Sequence, residues 1–171
     1  MILISLIGEQ PIPNLLPILH QRPATAILVH SAFTEPAAKR LCRLLPTSCQ
    51  GDLWLVDAYA VEATRQALLD RMHEAGWAAG DIVFNLTGGT KPMSLAAYLA
   101  AAHLRAPWMY LQSEGKQSRL YRYTFDPDGA ASAPEPELVP GLLDIDTYLR
   151  SFVADYQETG FANAEDGGRF E

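Results

Sequence analysis

The sequence predicts an α/β protein with a Rossmann-like parallel sheet, helices on both faces and a C-terminal antiparallel hairpin strand. Three observations predict it. Short apolar runs rich in Ile, Leu and Val recur along the chain, separated by helix-compatible segments, the alternation that builds a parallel sheet. The runs are continuous, as strands covered on both faces are. Arg119–Phe125 instead alternates Tyr121, Tyr123 and Phe125 with Leu120, Arg122 and Thr124, the pattern of a half-exposed antiparallel strand.

Taken in order, Ile2–Ile7 is the first strand, and the loop Gly8–Asn14 follows, with Asn14 as N-cap of a helix over Leu15–Gln21. Ala24–His30 is the second strand, with Ser31 at its carboxyl end. Thr34 caps a helix that carries Pro36 in its first turn and runs to about Leu45. Leu53–Val56 is a third strand. Val61–Ala75 is a helix with Ala63, Ala67, Leu68, Met72 and Ala75 on its inner side, stopped by Gly76. Ile82–Phe84 is the fourth strand, and an Ala- and Leu-rich helix follows to about Leu104. Trp108–Leu111 is the fifth strand. Ser113–Gln117 turns back into the antiparallel strand, Asp126–Pro136 is a loop, and Asp144–Gln157 is a last helix. Residues 1–157 thus form one domain, and 158–171 read as a linker and the start of a further domain.

With 171 residues there is room for one domain with a real core, and 49% apolar against 19% charged residues is an ordinary globular balance. Met1–Ile7 is far too short to span a bilayer and lacks the basic flank of a signal segment, so a cytoplasmic protein is expected. Cys42 and Cys49 have no metal-binding spacing, and Cys42 reads as a buried helix thiol. His20, His30, His73 and His103 share no ligand spacing either, so no metal or cofactor is expected. The net charge of −7 is unevenly placed. Residues 126–171 hold eleven acids against two bases, a net of −9, and residues 1–125 hold nine acids against eleven bases, a net of +2. The body is mildly basic but has no dense Lys/Arg stripe for a nucleic acid polymer. A small anion fits it better.

The run after the fourth strand, Thr87-Gly88-Gly89-Thr90-Lys91, carries the strongest functional signal. Two glycines let the backbone turn tightly and approach a ligand. The first N–H groups of the next helix have no intrahelical partner and sit at the positive end of its dipole. Pro92 fits the first turn. Hydroxyls, amides and a lysine in one turn make an anion cradle, for phosphate above all. The run is neither a Walker A loop nor a Gly-x-Gly-x-x-Gly fingerprint, which disfavours ATP hydrolysis and NAD binding. Ligands of such sheets bind beyond the carboxyl ends of the strands, where the Gly8–Asn14 loop, Ser31-Ala32-Phe33 and Thr87–Lys91 all lie.

Together these residues resemble the CARF domains (CRISPR-associated Rossmann fold) of the ancillary nucleases of type III CRISPR systems, and among them the DUF1887-type effectors. Ser5-Leu6-Ile7-Gly8-Glu9-Gln10 with Pro13-Asn14 is similar to that family's first-strand loop, and Asn85–Lys91 to its signature after the fourth strand. The likeness spans residues 1–157. Pro92 departs from the aliphatic residue expected there, and Gly167–Glu171 looks like the opening of a nuclease domain that does not follow.

The resemblance implies a homodimer that binds a cyclic oligoadenylate, usually cyclic tetra-adenylate, across its two-fold axis and controls a nuclease in antiviral defence. It assigns ligand contacts to Gly8, Gln10, Asn14, Ser31, Thr87, Gly88, Gly89, Thr90 and Lys91. Gln10 and Asn14 would read adenine edges, or be a solvated loop residue and a helix cap; Ser31 would reach a phosphate or ribose, or satisfy its own strand end. The alternative is a metal-independent ring nuclease, with Lys91 and the glycine amides stabilising the charge that develops. A transcriptional regulator is disfavoured, because no helix-turn-helix pattern follows residue 157. No paired carboxylates or Ser-His-Asp set points to other chemistry, so the chain is expected not to be a nuclease itself.

Overall fold

A computed structural model describes residues 1–114 and 117–153. Seven strands form one sheet: β1 (Ile2–Leu6), β2 (Thr25–His30), β3 (Gln50–Leu55), β4 (Ile82–Asn85), β5 (Trp108–Glu114), β6 (Gln117–Tyr123) and β7 (Glu135–Val139). Their order is β3-β2-β1-β4-β5-β6-β7; the first five run parallel and β6 and β7 antiparallel. Five helices accompany them: α1 (Ile12–Gln21), α2 (Glu35–Arg43), α3 (Val61–Glu74), α4 (Lys91–Leu104) and α5 (Ile145–Phe152).

Alternate side chains of the central strands feed two cores. Leu3, Ile7 and Leu28 pack with Leu15 and Ile18 of α1 and Ala38 and Leu41 of α2 on one face. Ile4, Leu6 and Phe84 pack with Leu68 and Met72 of α3 and Met93, Ala97 and Ala101 of α4 on the other. Each large side chain fully withdrawn from water contributes about 1.5–3 kcal/mol. The alanines of α4 let that helix lie close against the sheet. Strand order reverses between β1 and β4, and the helices after those two strands leave to opposite faces. A crevice therefore opens where their carboxyl ends diverge, the switch point at which such sheets bind ligands.

The structure corrects several boundaries. Helix α1 starts at Ile12, so Asn14 lies inside its first turn and is wholly buried; Pro11 is the N-cap. Pro13 in the first turn needs no amide partner, and the amides of Asn14 and Leu15 bond Pro11 O, which moves the start upstream. The inner face of α3 is Thr64, Leu68 and Met72, with Ala63 and Ala75 exposed. Strand β3 is longer than expected, starting at Gln50, and α2 ends sooner, at Arg43. Cys42 is only half-buried, whereas Cys49 is buried and that burial raises its thiol pKa.

The expected Asp126–Pro136 loop ends in an unforeseen strand, β7, which pairs with β6 through Tyr121↔Pro136 and Leu120↔Glu137. As the edge strand, β7 tolerates Pro136. Glu137 ties it to α1, accepting from His20 Nε2 at 2.8 Å and Arg122 Nε at 3.3 Å. Burial pushes the Glu137 pKa up, but those two bonds outweigh it and leave the carboxyl below its ordinary value. Tyr123 stacks on Trp108 with centroids 3.8 Å apart, and Phe125 packs against Tyr98, so these aromatics serve packing. Asp144 caps α5 by accepting from Thr147 N at 2.6 Å. The readings made for residues 154–171, including the end of the last helix, the linker and the nuclease-like opening, lie outside the described residues. No helix of the described residues is long and apolar enough to cross a membrane.

Candidate functional site

The turn from β4 into α4 presents backbone rather than side chains. Among the described residues, the amides of Gly88, Gly89, Thr90 and Lys91 donate to no protein acceptor. Gly89 has φ +74°, a conformation that L side chains rarely adopt. Gly88 is pressed against β1: a Cβ there would stand 2.1 Å from Leu6 O and 2.7 Å from Asn14 Nδ2. Four unpaired donors thus follow one another at the positive end of a fourteen-residue helix. Lys91, the first residue of α4, is exposed and has no ion-pair partner among the described residues. A cation at a helix N-terminus is opposed by the dipole unless an anion lies beside it.

The two threonine hydroxyls are committed inside the fold. Thr87 Oγ1 donates to Asn85 Oδ1 at 2.6 Å and accepts from Leu111 N at 2.7 Å, which fastens the turn to β5. Thr90 Oγ1 accepts from Met93 N at 3.2 Å as the cap of α4 and donates to Ala58 O. Beneath the turn lies a buried polar joint. Asn85 donates from Nδ2 to Pro13 O at 3.1 Å and Asn14 Oδ1 at 3.4 Å, while its Oδ1 accepts from Thr87 N. Asn85 thus locks the start of α1 to the end of β4. Asn14 Nδ2 is a buried donor with no acceptor among the described residues, directly under Gly88.

Ser31 and Thr34 bond reciprocally at the end of β2: Ser31 N donates to Thr34 Oγ1 at 3.0 Å and Thr34 N to Ser31 Oγ at 3.2 Å. A cavity of about 650 Å³ opens beside the cradle. Of the residues singled out from the sequence, Gly8, Ser31, Gly89 and Thr90 line it. Thr87, Gly88 and Lys91 belong to the adjoining turn. Gln10 is exposed on the loop and Asn14 is buried below it, so neither reaches the cavity. Glu9 and Phe33, from the Gly8–Asn14 and Ser31–Phe33 segments that the sequence places at this end of the sheet, line the cavity too, and so do Asp57 and Tyr59 after β3, which the sequence does not single out. Strand β3 runs parallel to β2, so its carboxyl end opens onto the same edge. No group of three or more His, Cys, Asp or Glu among the described residues is arranged to hold a metal ion.

The family model described as the Card1 CARF domain matches residues 2–125. Among curated proteins no significant match is found. Similar solved structures include Can2 from Sulfobacillus thermosulfidooxidans in complex with cyclic tetra-adenylate, with TM-score 0.67 and 21% identity over 88% of this chain and 40% of that one. Protein VC1899 from Vibrio cholerae follows, with TM-score 0.66 and 17% identity over 88% of this chain and 39% of that one. Enterococcus italicus Csm6 bound to cyclic hexa-2'-fluoro-hexa-dAMP has TM-score 0.54 and 17% identity, covering 67% of this chain and 34% of that one. At these identities the likeness is one of fold, and the chain spans two fifths or less of each structure's length.

Proposed function

The chain belongs to the Card1 CARF family, and on that premise we propose that it is a homodimeric sensor of a cyclic oligoadenylate, cyclic tetra-adenylate in particular, in type III CRISPR defence. The observation that carries this reading is the row of unpaired amides from Gly88 to Lys91 at the switch point of the sheet. In it, the Gly88, Gly89, Thr90 and Lys91 amides and the Lys91 ammonium take the phosphates of the ring by charge-assisted hydrogen bonds. Thr87 and Asn85 hold the turn in shape. Gly8, whose backbone lies against Gly89, and Ser31 form the opposite wall. The Can2 complex supports the choice of ring, since it holds cyclic tetra-adenylate on a similar fold.

A ring of four adenylates has two-fold symmetry, which two identical cradles match. Leu95 and Leu99 stand exposed one turn apart on α4, immediately after Lys91. That apolar stripe supports a partner copy docked along α4, with its cradle next to this one. Occupancy of the shared site then controls an effector domain, because a ligand contacting both copies favours one arrangement of the pair.

The test is calorimetry of the chain with cyclic tri-, tetra- and hexa-adenylate, followed by chromatography of the recovered ligand. The expected result is one intact cyclic tetra-adenylate per two chains. One ligand per chain, or no binding at micromolar concentration, would sink the reading. Recovery of linear products would favour the ring-nuclease alternative.

A further inference from the structure

The sheet ends on one side at β3, whose backbone is paired with β2 alone. Gln50 N donates to Ala24 O and Val56 N to His30 O, so the even-numbered residues carry that ladder. Gly51, Leu53 and Leu55 turn their N–H and C=O groups outward. Such an edge is a template for another strand, and the run Leu53-Trp54-Leu55-Val56 holds no charge to discourage one. Two of the outward groups are nevertheless taken by side chains. Asp52 Oδ1 accepts from Leu53 N at 2.8 Å, and Arg71 of α3 donates from Nη2 to Leu55 O at 3.3 Å. Trp54 aims both: its Nε1 donates to Asp52 Oδ2 at 2.9 Å, and the Arg71 guanidinium lies 5.4 Å from the centre of its ring. Trp54 is itself buried and stacks on Trp77 with centroids 5.7 Å apart, which makes it a fixed anchor.

We propose that Asp52 and Arg71 guard this edge, each holding one outward backbone group so that β3 of a second copy of the chain cannot extend the sheet. A strand arriving there meets, at two successive outward residues, a group that is already bonded. To pair, it must strip an acid and a base of the contacts that aim them. The opposite edge is closed by other means, since β7 carries Pro136 between Glu135 and Glu137. The guard bears on assembly and is independent of any ligand. The partner copy proposed above docks along α4, a different surface. An open β3 edge would give each copy a second contact, and copies with two contacts grow into chains instead of closing as pairs.

The experiment is sedimentation velocity of the full chain over a concentration series, with circular dichroism as the control for folding. The wild-type chain should reach a limiting size. Asp52→Val and Arg71→Ala should each strengthen self-association about 2- to 10-fold, and the double variant by about the product, giving species larger than that limit. Asp128→Asn removes an exposed acid elsewhere and should leave the size unchanged, which separates the guard from net charge. Leu55→Pro added to the double variant should restore the wild-type size, because proline offers no N–H outward and leaves the bonds to β2 in place. Wild-type protein without a limiting size, or a folded double variant no larger than wild type, would overturn the guard. So would larger species in Asp128→Asn, or species that persist with Leu55→Pro, since these form through charge, another surface or unfolding.

Discussion

Two strand-to-helix junctions border the same cavity and are built in opposite ways. Between β4 and α4 the backbone is offered and the side chains are withdrawn: four amides are unpaired, while the Thr87 and Thr90 hydroxyls bond within the fold. Between β3 and α3 two successive amides are taken by a side chain and an aromatic ring is offered. Asp57 takes the amides of Tyr59 and Ala60, and the Tyr59 ring stands in solvent. A bare row of amides suits an anion, and a fixed backbone with an open ring suits an aromatic base. Two junctions of the same type, on one sheet edge, thus border one cavity with different chemistry.

The comparison breaks most sharply at the glycines. Gly88→Ala would place a Cβ 2.1 Å from Leu6 O, a backbone atom that cannot swing away. Such overpacking costs roughly 1–3 kcal/mol or more, and the turn must move off β1. The expected outcome is a melting temperature lower by several degrees and no binding of cyclic tetra-adenylate at micromolar concentration. Gly89→Val should also abolish binding, with a loss of stability of its own. Its Cβ would stand 3.0 Å from Leu6 Cβ and 3.5 Å from Met93, both buried, and φ +74° adds a strain of about 1–2 kcal/mol for an L residue, so the turn must shift and carry its amides with it. Binding by Gly89→Val at the wild-type level would show that the amides are not the contact.

Lys91→Ala comes next in size. It removes a charge-assisted contact of roughly 1.5–3 kcal/mol, so affinity should fall about 10- to 100-fold per site, with a shallower salt dependence. The unliganded chain should gain slightly, because removing a cation from a helix N-terminus relieves up to about 0.3–1 kcal/mol. Opposite signs in calorimetry and thermal melting are the signature of a residue placed for a ligand. A lysine that only decorates the surface would leave affinity unchanged.

Thr87→Val separates holding from binding. The isosteric change leaves Leu111 N without its acceptor and removes one of the two donors to Asn85 Oδ1, a cost of about 1–3 kcal/mol. Thermal melting should register it fully, while affinity for the ring changes less than about 3-fold. A large loss of affinity with unchanged stability would mean that the hydroxyl turns outward to the ligand.

What the sequence revealed follows the same division. The parallel strands were legible because continuous apolar runs such as Leu3–Ile7 and Ala26–Val29 are fully buried. The cradle was legible because its amides come from a local pattern, two glycines followed by a helix. Strand β7 was not, because Glu135, Pro136 and Glu137 carry no apolar signal and owe their form to pairing with β6. Asn14 has the residue type of a cap, but Pro11 and Pro13 set the helix start upstream of it. Its true neighbours, Asn85 and Gly88, are more than seventy residues away. The aromatic half of the site depends on β3 ending beside β2, a matter of topology that Asp57-Ala58-Tyr59 alone does not disclose.

The smallest expected effect tests whether the second junction is preorganised. Asp57→Ala removes the acceptor of the Tyr59 and Ala60 amides but leaves the Tyr59 ring in place. Both amides are exposed and can turn to water, so stability should fall by only about 0.5–1 kcal/mol. The ring must then be ordered when ligand binds, at a cost typical of one immobilised side chain. Affinity for cyclic tetra-adenylate should therefore drop about 2- to 10-fold, less than for Tyr59→Ala. A loss equal to that of Tyr59→Ala would mean that the carboxylate itself contacts the ligand, and that this junction, too, works through more than its ring.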